Sequence, residues 1–123
     1  MESVLREKSF AFALRIVKLA QFLTRNENEF VLSRQVLRSG TAIGALICEA
    51  QYAQSRADFI NKLSIALKEA NETYYWLRLL HKGEYITEVM YSSIKPQINE
   101  LIKLLTSSIK TAKQARDKQQ NSP

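Results

Sequence analysis

At 123 residues, with a formal net charge of +6, 46% hydrophobic residues and 1 Cys, the chain has the length of one domain and the apolar content of a packed core. A chain of this length buries roughly two thirds of the surface its unfolded form exposes, so it needs neither disulfide nor zinc; Cys48 has no intrachain partner and sits in no CxxC spacing. No apolar run nears the ~20 residues of a membrane span and no signal-peptide core is visible, so the expectation is a soluble chain without membrane partners, and a lone thiol suits a reducing cytoplasm.

Only 3 Gly and 2 Pro punctuate the chain, which favours long helices with short connections. The first helix is expected over roughly Ser3 to Thr24. Leu5, Phe12, Ile16, Leu19 and Leu23 recur at helical spacing. Phe10, Leu14, Val17 and Ala20 widen that stripe beyond what one internal face requires, and the width points to a second contact. A polar break from Arg25 to Glu29 follows, and Ser33 reads as the N-cap of a second helix reaching about Gln54. Its face is Val36, Gly40, Ile43, Ile47 and Ala50. Gly40 and Gly44 lie one turn apart, and each glycine costs a helix about 1 kcal/mol against alanine. Close approach of another backbone explains keeping them; tolerated flexibility is the plainer alternative.

Ser55-Arg56-Ala57-Asp58 resembles a capping box and opens a third helix to about Lys82. Phe59, Leu63, Ala66, Ala70, Thr73, Leu77 and Leu80 step by fours and threes, the seam of an antiparallel bundle. Gly83 is placed to end this helix in a left-handed conformation. Thr87 caps a fourth helix whose face reads Met90, Ile94, Ile98, Leu101, Leu105, Ile109 and Ala112. Pro96 falls inside that pattern, and a kink is preferred to a late start because Val89 and Met90 call for burial. The expected architecture is an all-α, up-down-up-down antiparallel four-helix bundle over 1–112. Residues 113–123 form a basic, polar, frayed C-terminal tail.

Among the polar residues, Arg38 and Glu49 lie on one side of helix 2 but ~16 Å apart along its axis, too far to pair. Glu69, Glu72 and Trp76 share a side of helix 3. Arg38 is expected to form a buried pair with Glu69 or Glu72, and Glu49 to find its partner on another helix or another protomer. The role of the four is a structural polar network that specifies register. Di-iron bundles require Glu-x-x-His motifs; the one histidine, His81, follows Arg78 at that spacing, so no metal site is expected. Cys48 lies in an apolar stretch and reads as a buried, inert thiol. Gly40-x-x-x-Gly44 lacks the Gly-Lys-Ser/Thr of a phosphate loop. Tyr74-Tyr75-Trp76 point three ways from one helix, so packing accounts for at least two of them. No catalytic residue and no cofactor is expected.

Two segments carry a family resemblance: Leu32-Ser33-Arg34-Gln35-Val36-Leu37-Arg38-Ser39-Gly40-Thr41-Ala42-Ile43-Gly44-Ala45 on to Glu49-Ala50, and Asp58-Phe59 through Leu63, Ile65-Ala66, Glu69-Ala70, Glu72-Thr73 and Tyr75-Trp76-Leu77. With Lys8-Ser9-Phe10 and helix 1, nearly the whole chain apart from the tail resembles the four-helix bundle proteins encoded in intervening sequences of 23S ribosomal RNA genes. The resemblance implies a left-handed bundle, assembly into a homopentamer and no known catalytic activity. It also implies kinship in fold with the accessory protein of diversity-generating retroelements, which works beside a reverse transcriptase and has a basic nucleic-acid-binding surface. This chain departs from the family pattern at Ala42, where Ser is common, and at Leu46, where Asn is common; any family-wide polar role of those two is absent here.

The functional expectation is a non-enzymatic oligomeric adaptor associating with RNA or DNA without sequence specificity, alone or beside a nucleic-acid-processing protein. Five copies would carry about +30, and multivalency turns weak phosphate contacts into avidity. The candidate contacts are Arg6, Lys8, Arg15 and Lys18 on helix 1, with Lys110, Lys113, Arg116 and Lys118 near the C-terminus. The alternative is a protein–protein interaction scaffold whose basic surface serves solubility or an acidic partner.

Overall fold

A computed structural model describes the backbone of residues 2–120 and the side chains of residues 3–119. It contains four helices and, among the described residues, no strand: α1 (Glu2–Asn26), α2 (Leu32–Gln51), α3 (Arg56–Lys82) and α4 (Glu88–Gln120). Each helix packs on its neighbour in sequence and α1 closes on α4, while neither diagonal pair brings backbones together. This is compact packing of helical-bundle type. Gly40 and Gly44 oppose Ile16 and Ser9, Ser39 meets Thr73, and Lys8 and Arg15 reach Glu100 and Gln97.

The core lies on the expected stripes. Leu5, Phe12, Ile16, Leu19 and Leu23 of α1 are buried, as are Val36, Gly40, Ile43, Ile47 and Ala50 of α2. On α3 the buried series is Ile60, Leu63, Ala66, Ala70, Thr73, Leu77 and Leu80, with Phe59 only half-buried beside it. Each large apolar side chain so buried contributes about 1.5–3 kcal/mol. No buried side-chain polar atom among the described residues lacks a partner. At the fully buried centre, Thr73 Oγ1 lies 2.8 Å from Ser39 Oγ and donates to the Glu69 carbonyl.

Gly40 and Gly44 do admit a close neighbour, and that neighbour is α1 of the same chain. A Cβ on Gly40 would fall 2.8 Å from Ile16 Cγ1, and one on Gly44 3.4 Å from Ser9 Oγ. The glycines therefore belong to the internal packing and do not call for a second protomer.

Several local expectations are corrected. The N-cap of α2 is Val31, without a side-chain hydrogen bond; Ser33 lies inside the helix, buried, and its N–H donates to the Glu29 carboxylate at 2.9 Å. The acidic side chain thus supplies the acceptor that the hydroxyl was expected to supply. The helix ends at Gln51, not Gln54, because Ser55 starts α3 by accepting from the Asp58 N–H at 3.0 Å, while the Asp58 carboxylate accepts from Gln54. Gly83 is not left-handed (φ −79°); Glu84 takes that conformation (φ 66°) and lets the Tyr85 N–H reach the Leu80 carbonyl. Gly83 matters sterically instead, since a Cβ there would approach the Leu79 carbonyl oxygen at 3.0 Å.

Thr87 caps α4 through the Met90 N–H. Val89 is exposed, however, because it lies half a helical turn from the Ile94–Ile98 face; Tyr91 is buried in its stead. Cys48 is exposed, on the flank of α2 away from the core, so the expectation of a buried thiol is overturned. Pro96 stands within a continuous helix. That helix runs on to Gln120, through most of the stretch expected as a frayed tail; residues 121–123 of that tail lie outside the described residues.

Candidate functional site

The basic side chains fall in separate places. Along α1, at ~100° per residue, Arg6 projects toward the α2 flank whereas Lys8, Arg15 and Lys18 project toward α4. Lys8 pairs with Glu100 at 3.0 Å, both half-exposed (44% and 50%), so this bridge contributes little and opens readily. Arg15 is half-buried and firmly held. Its guanidinium donates to the Ser93 carbonyl (3.0 Å), the Gln97 side-chain oxygen (2.7 Å) and Ser93 Oγ (2.5 Å). Those acceptors flank Pro96, which has no N–H to offer the Ser92 carbonyl, so α1 braces α4 where its own ladder is interrupted.

Lys18 is exposed at the rim of a cavity between α1 and α4 that Met90 also lines. From that level to Lys110 is about 20 residues of helix, ~30 Å along α4. The eight candidate cations therefore do not form one patch. Lys110, Lys113, Arg116 and Lys118 make a basic end to α4. From Lys113 to Gln119 every side chain is exposed except half-buried Arg116, which donates to Asp117 at 3.3 Å. Lys110 and Lys113 have no ion-pair partner among the described residues.

Arg38 bridges to both carboxylates proposed for it. It donates to both Glu69 oxygens at 3.2 Å and, very closely, to Glu72, whose carboxylate also accepts from the Trp76 indole at 2.9 Å. The Glu69 hydrogen bond, opposed by partial desolvation, raises the guanidinium pKa above its ordinary value. The network is a surface one, with the Arg38 side chain 50% exposed, so the buried pair expected from sequence becomes a half-open clamp between α2 and α3. Glu49 stands outside it, exposed and without a partner among the described residues. Ala42 and Leu46 are half-buried on α2.

Sequence reasoning missed a second polar junction, at the α3–α4 turn. The His81 imidazole N–H donates to Glu88 at 2.7 Å, and the ring stacks on Tyr91 with centroids 4.2 Å apart. Hydrogen bonding from Ser92, and then from His81, lowers the Glu88 pKa. Desolvation, and then the Tyr74 hydroxyl, raises that of Tyr91. The pairing crosses a tight turn, and its one available signal was a histidine seven residues before a glutamate. No group of three or more His, Cys, Asp or Glu among the described residues is placed to hold a metal ion. Among the described residues, no helix is long and apolar enough to cross a membrane.

The model of the 23S rRNA-intervening sequence protein family matches residues 1–107. The chain belongs to that family. It is similar to a protein of unknown function from the S23 ribosomal protein family of Bacteroides thetaiotaomicron VPI-5482, solved at 1.70 Å, with 60% identity over 89% of this chain and 97% of that one and a TM-score of 0.87. No curated protein matches. The family match ends before Lys110, so the basic end of α4 lies beyond the matched span, whereas the Arg38 clamp, the His81 junction and the Arg15 brace all lie within it.

Proposed function

We propose that this protein is a non-enzymatic oligomeric adaptor that associates with RNA or DNA through phosphate contacts, without reading sequence. The observation supporting this is the basic end of α4, where Lys110 and Lys113 stand exposed, without an ion-pair partner among the described residues, on a helix that continues to Gln120. An exposed helix end carrying cations on several sides suits a phosphate backbone, whose counterions are released on contact, and it specifies no base. Arg6, Lys8 and Lys18 add further positive charge elsewhere on the surface.

In this reading the helices form an up-down-up-down, left-handed bundle, and copies assemble into a cytoplasmic homopentamer. Support for assembly comes from α1, where Phe10 (67% exposed), Leu14 (50%) and Val17 lie on one flank and run into a groove with Phe30 and Leu37. An apolar strip of that kind is costly to leave in water. The same strip favours the second reading, a protein–protein scaffold in which the positive charge serves an acidic partner.

Binding of short single-stranded RNA and duplex DNA across a salt series separates the two. The adaptor reading expects micromolar affinity at about 50 mM salt, falling steeply as salt rises, and each neutralised lysine should flatten the slope of log K against log salt by about 0.7–0.9. Lys110→Glu with Lys113→Glu should therefore reduce that slope. No binding at about 50 mM salt overturns the adaptor reading, and a monomeric mass by light scattering overturns the assembly.

A further inference from the structure

Between the second half of α1 and the start of α4 the two helices part around a cavity of about 270 Å³. Leu19 and Phe22 form one wall and Ile86, Met90 and Ile94 the other, with Arg15 and Lys18 at its edge. Arg15 to Phe22 spans seven residues, so the groove is ~10 Å long. Its volume stands near the lower limit of small-molecule pockets, roughly 300–1,000 Å³, and its make-up, an apolar lining with a few placed polar groups, is theirs.

The charge at its edge is uncompensated. Among the described residues neither Arg15 nor Lys18 has an ion-pair partner. The three acceptors that hold Arg15 are a backbone carbonyl, an amide oxygen and a hydroxyl. They orient the guanidinium without neutralising it, and they leave N–H groups unused, since guanidinium has five. A pre-oriented cation on an apolar wall, with an exposed lysine one turn on, complements an anion attached to an apolar body.

We infer that this groove binds a small anionic amphiphile, a compact hydrophobic chain or ring bearing a single carboxylate. The headgroup sits between Arg15 and Lys18, and the apolar body runs along Met90 toward Phe22 and Ile86. A nucleotide does not fit this lining, because its base and sugar would find no polar partners among Leu19, Phe22, Ile86, Met90 and Ile94. The inference is independent of nucleic-acid binding at the far end of α4.

The test is calorimetric titration of the full chain with decanoate below its micelle concentration, beside decanol and decyltrimethylammonium. Decanoate should bind at least about tenfold more tightly than decanol, as a charge-assisted hydrogen bond implies, and the cation should not bind. Lys18→Gln, at an exposed residue with no ion-pair partner among the described residues, should weaken decanoate several-fold and leave the melting temperature unchanged. Met90→Trp should fill the groove and abolish binding. Equal affinity for decanoate and decanol overturns the inference, as does full decanoate binding in both variants. Binding to phosphatidylglycerol vesicles or to an acidic amphipathic peptide without binding of free decanoate also overturns it.

Discussion

Gly40 and Gly44 face the same helix across a similar gap, yet alanine at the two positions should act with opposite sign. At Gly40 a Cβ would stand 2.8 and 2.9 Å from the two γ-carbons of Ile16 and 3.3 Å from its Cβ. These atoms are close to the backbone of a β-branched side chain with one favoured rotamer in a helix, and Ile16 is fully buried. The neighbour cannot swing aside, so α1 and α2 must separate. Overpacking of this kind costs about 1–3 kcal/mol, while replacing a helical glycine by alanine returns about 1 kcal/mol. Gly40→Ala should therefore be destabilising by up to about 2 kcal/mol. At Gly44 the nearest atoms, Ser9 Oγ at 3.4 Å and the Ser9 carbonyl oxygen at 3.5 Å, are in ordinary contact. Gly44→Ala should then be stabilising by up to about 1 kcal/mol, most of its helix-propensity gain. Urea unfolding followed by circular dichroism measures both. In an Ile16→Ala background both γ-carbons are gone and only the 3.3 Å contact with the Cβ remains, so Gly40→Ala should lose most of its cost. The steric argument is refuted if Gly40→Ala stabilises the otherwise unchanged protein as Gly44→Ala does, or if the Ile16→Ala background leaves its effect unchanged.

Thr73→Val should cost about 1–3 kcal/mol by stranding the buried Ser39 hydroxyl, and adding Ser39→Ala should recover part of that loss in the same unfolding assay. Arg38→Ala should cost no more than about 1 kcal/mol, because its clamp is half in solvent; a loss above about 3 kcal/mol would mean the clamp behaves as a buried pair. Glu88 has a lowered folded-state pKa. Its contribution is therefore fully present above the unfolded carboxylate value, about 4.3, and is lost as pH falls through the folded value beneath it. Thermal melts between about pH 5 and pH 3 should lose part of their slope in Glu88→Gln, and identical slopes would reject the assignment. Cys48 is exposed, so an aromatic disulfide reagent should titrate it in the native protein at the rate seen in denaturant; protection would place it in an interface or the core.

The four helices and most of the core were legible because burial follows periodicity. Leu5, Phe12, Ile16, Leu19 and Leu23 repeat at helical spacing, and a stripe that regular has only one way to face. Ser55 and Thr87 were legible as caps for a similar reason, since each bonds three residues along the chain. The near-misses have different causes. Val89 was expected inside on hydrophobicity, but its phase on α4 turns it outward. Gly83 was assigned the left-handed conformation on residue type, whereas the turn to Ile86 places that conformation at Glu84. Cys48 lies on an apolar helix but on its outer flank.

For the candidate site the division is sharper. The sequence by itself determined that the chain is basic and that its excess charge gathers near the C-terminus, and it offered Glu69 or Glu72 as the carboxylate for Arg38. Only the tertiary structure decided that Lys18 and Lys110 stand ~30 Å apart and that Arg15 is clamped to α4 while Lys18 has no ion-pair partner among the described residues. It alone decided that the glycines serve α1 of the same chain. Helical phase is a local property that residue order carries. Which cation meets an acceptor depends on the register between helices distant in sequence, and that register is set by the packing of the whole core.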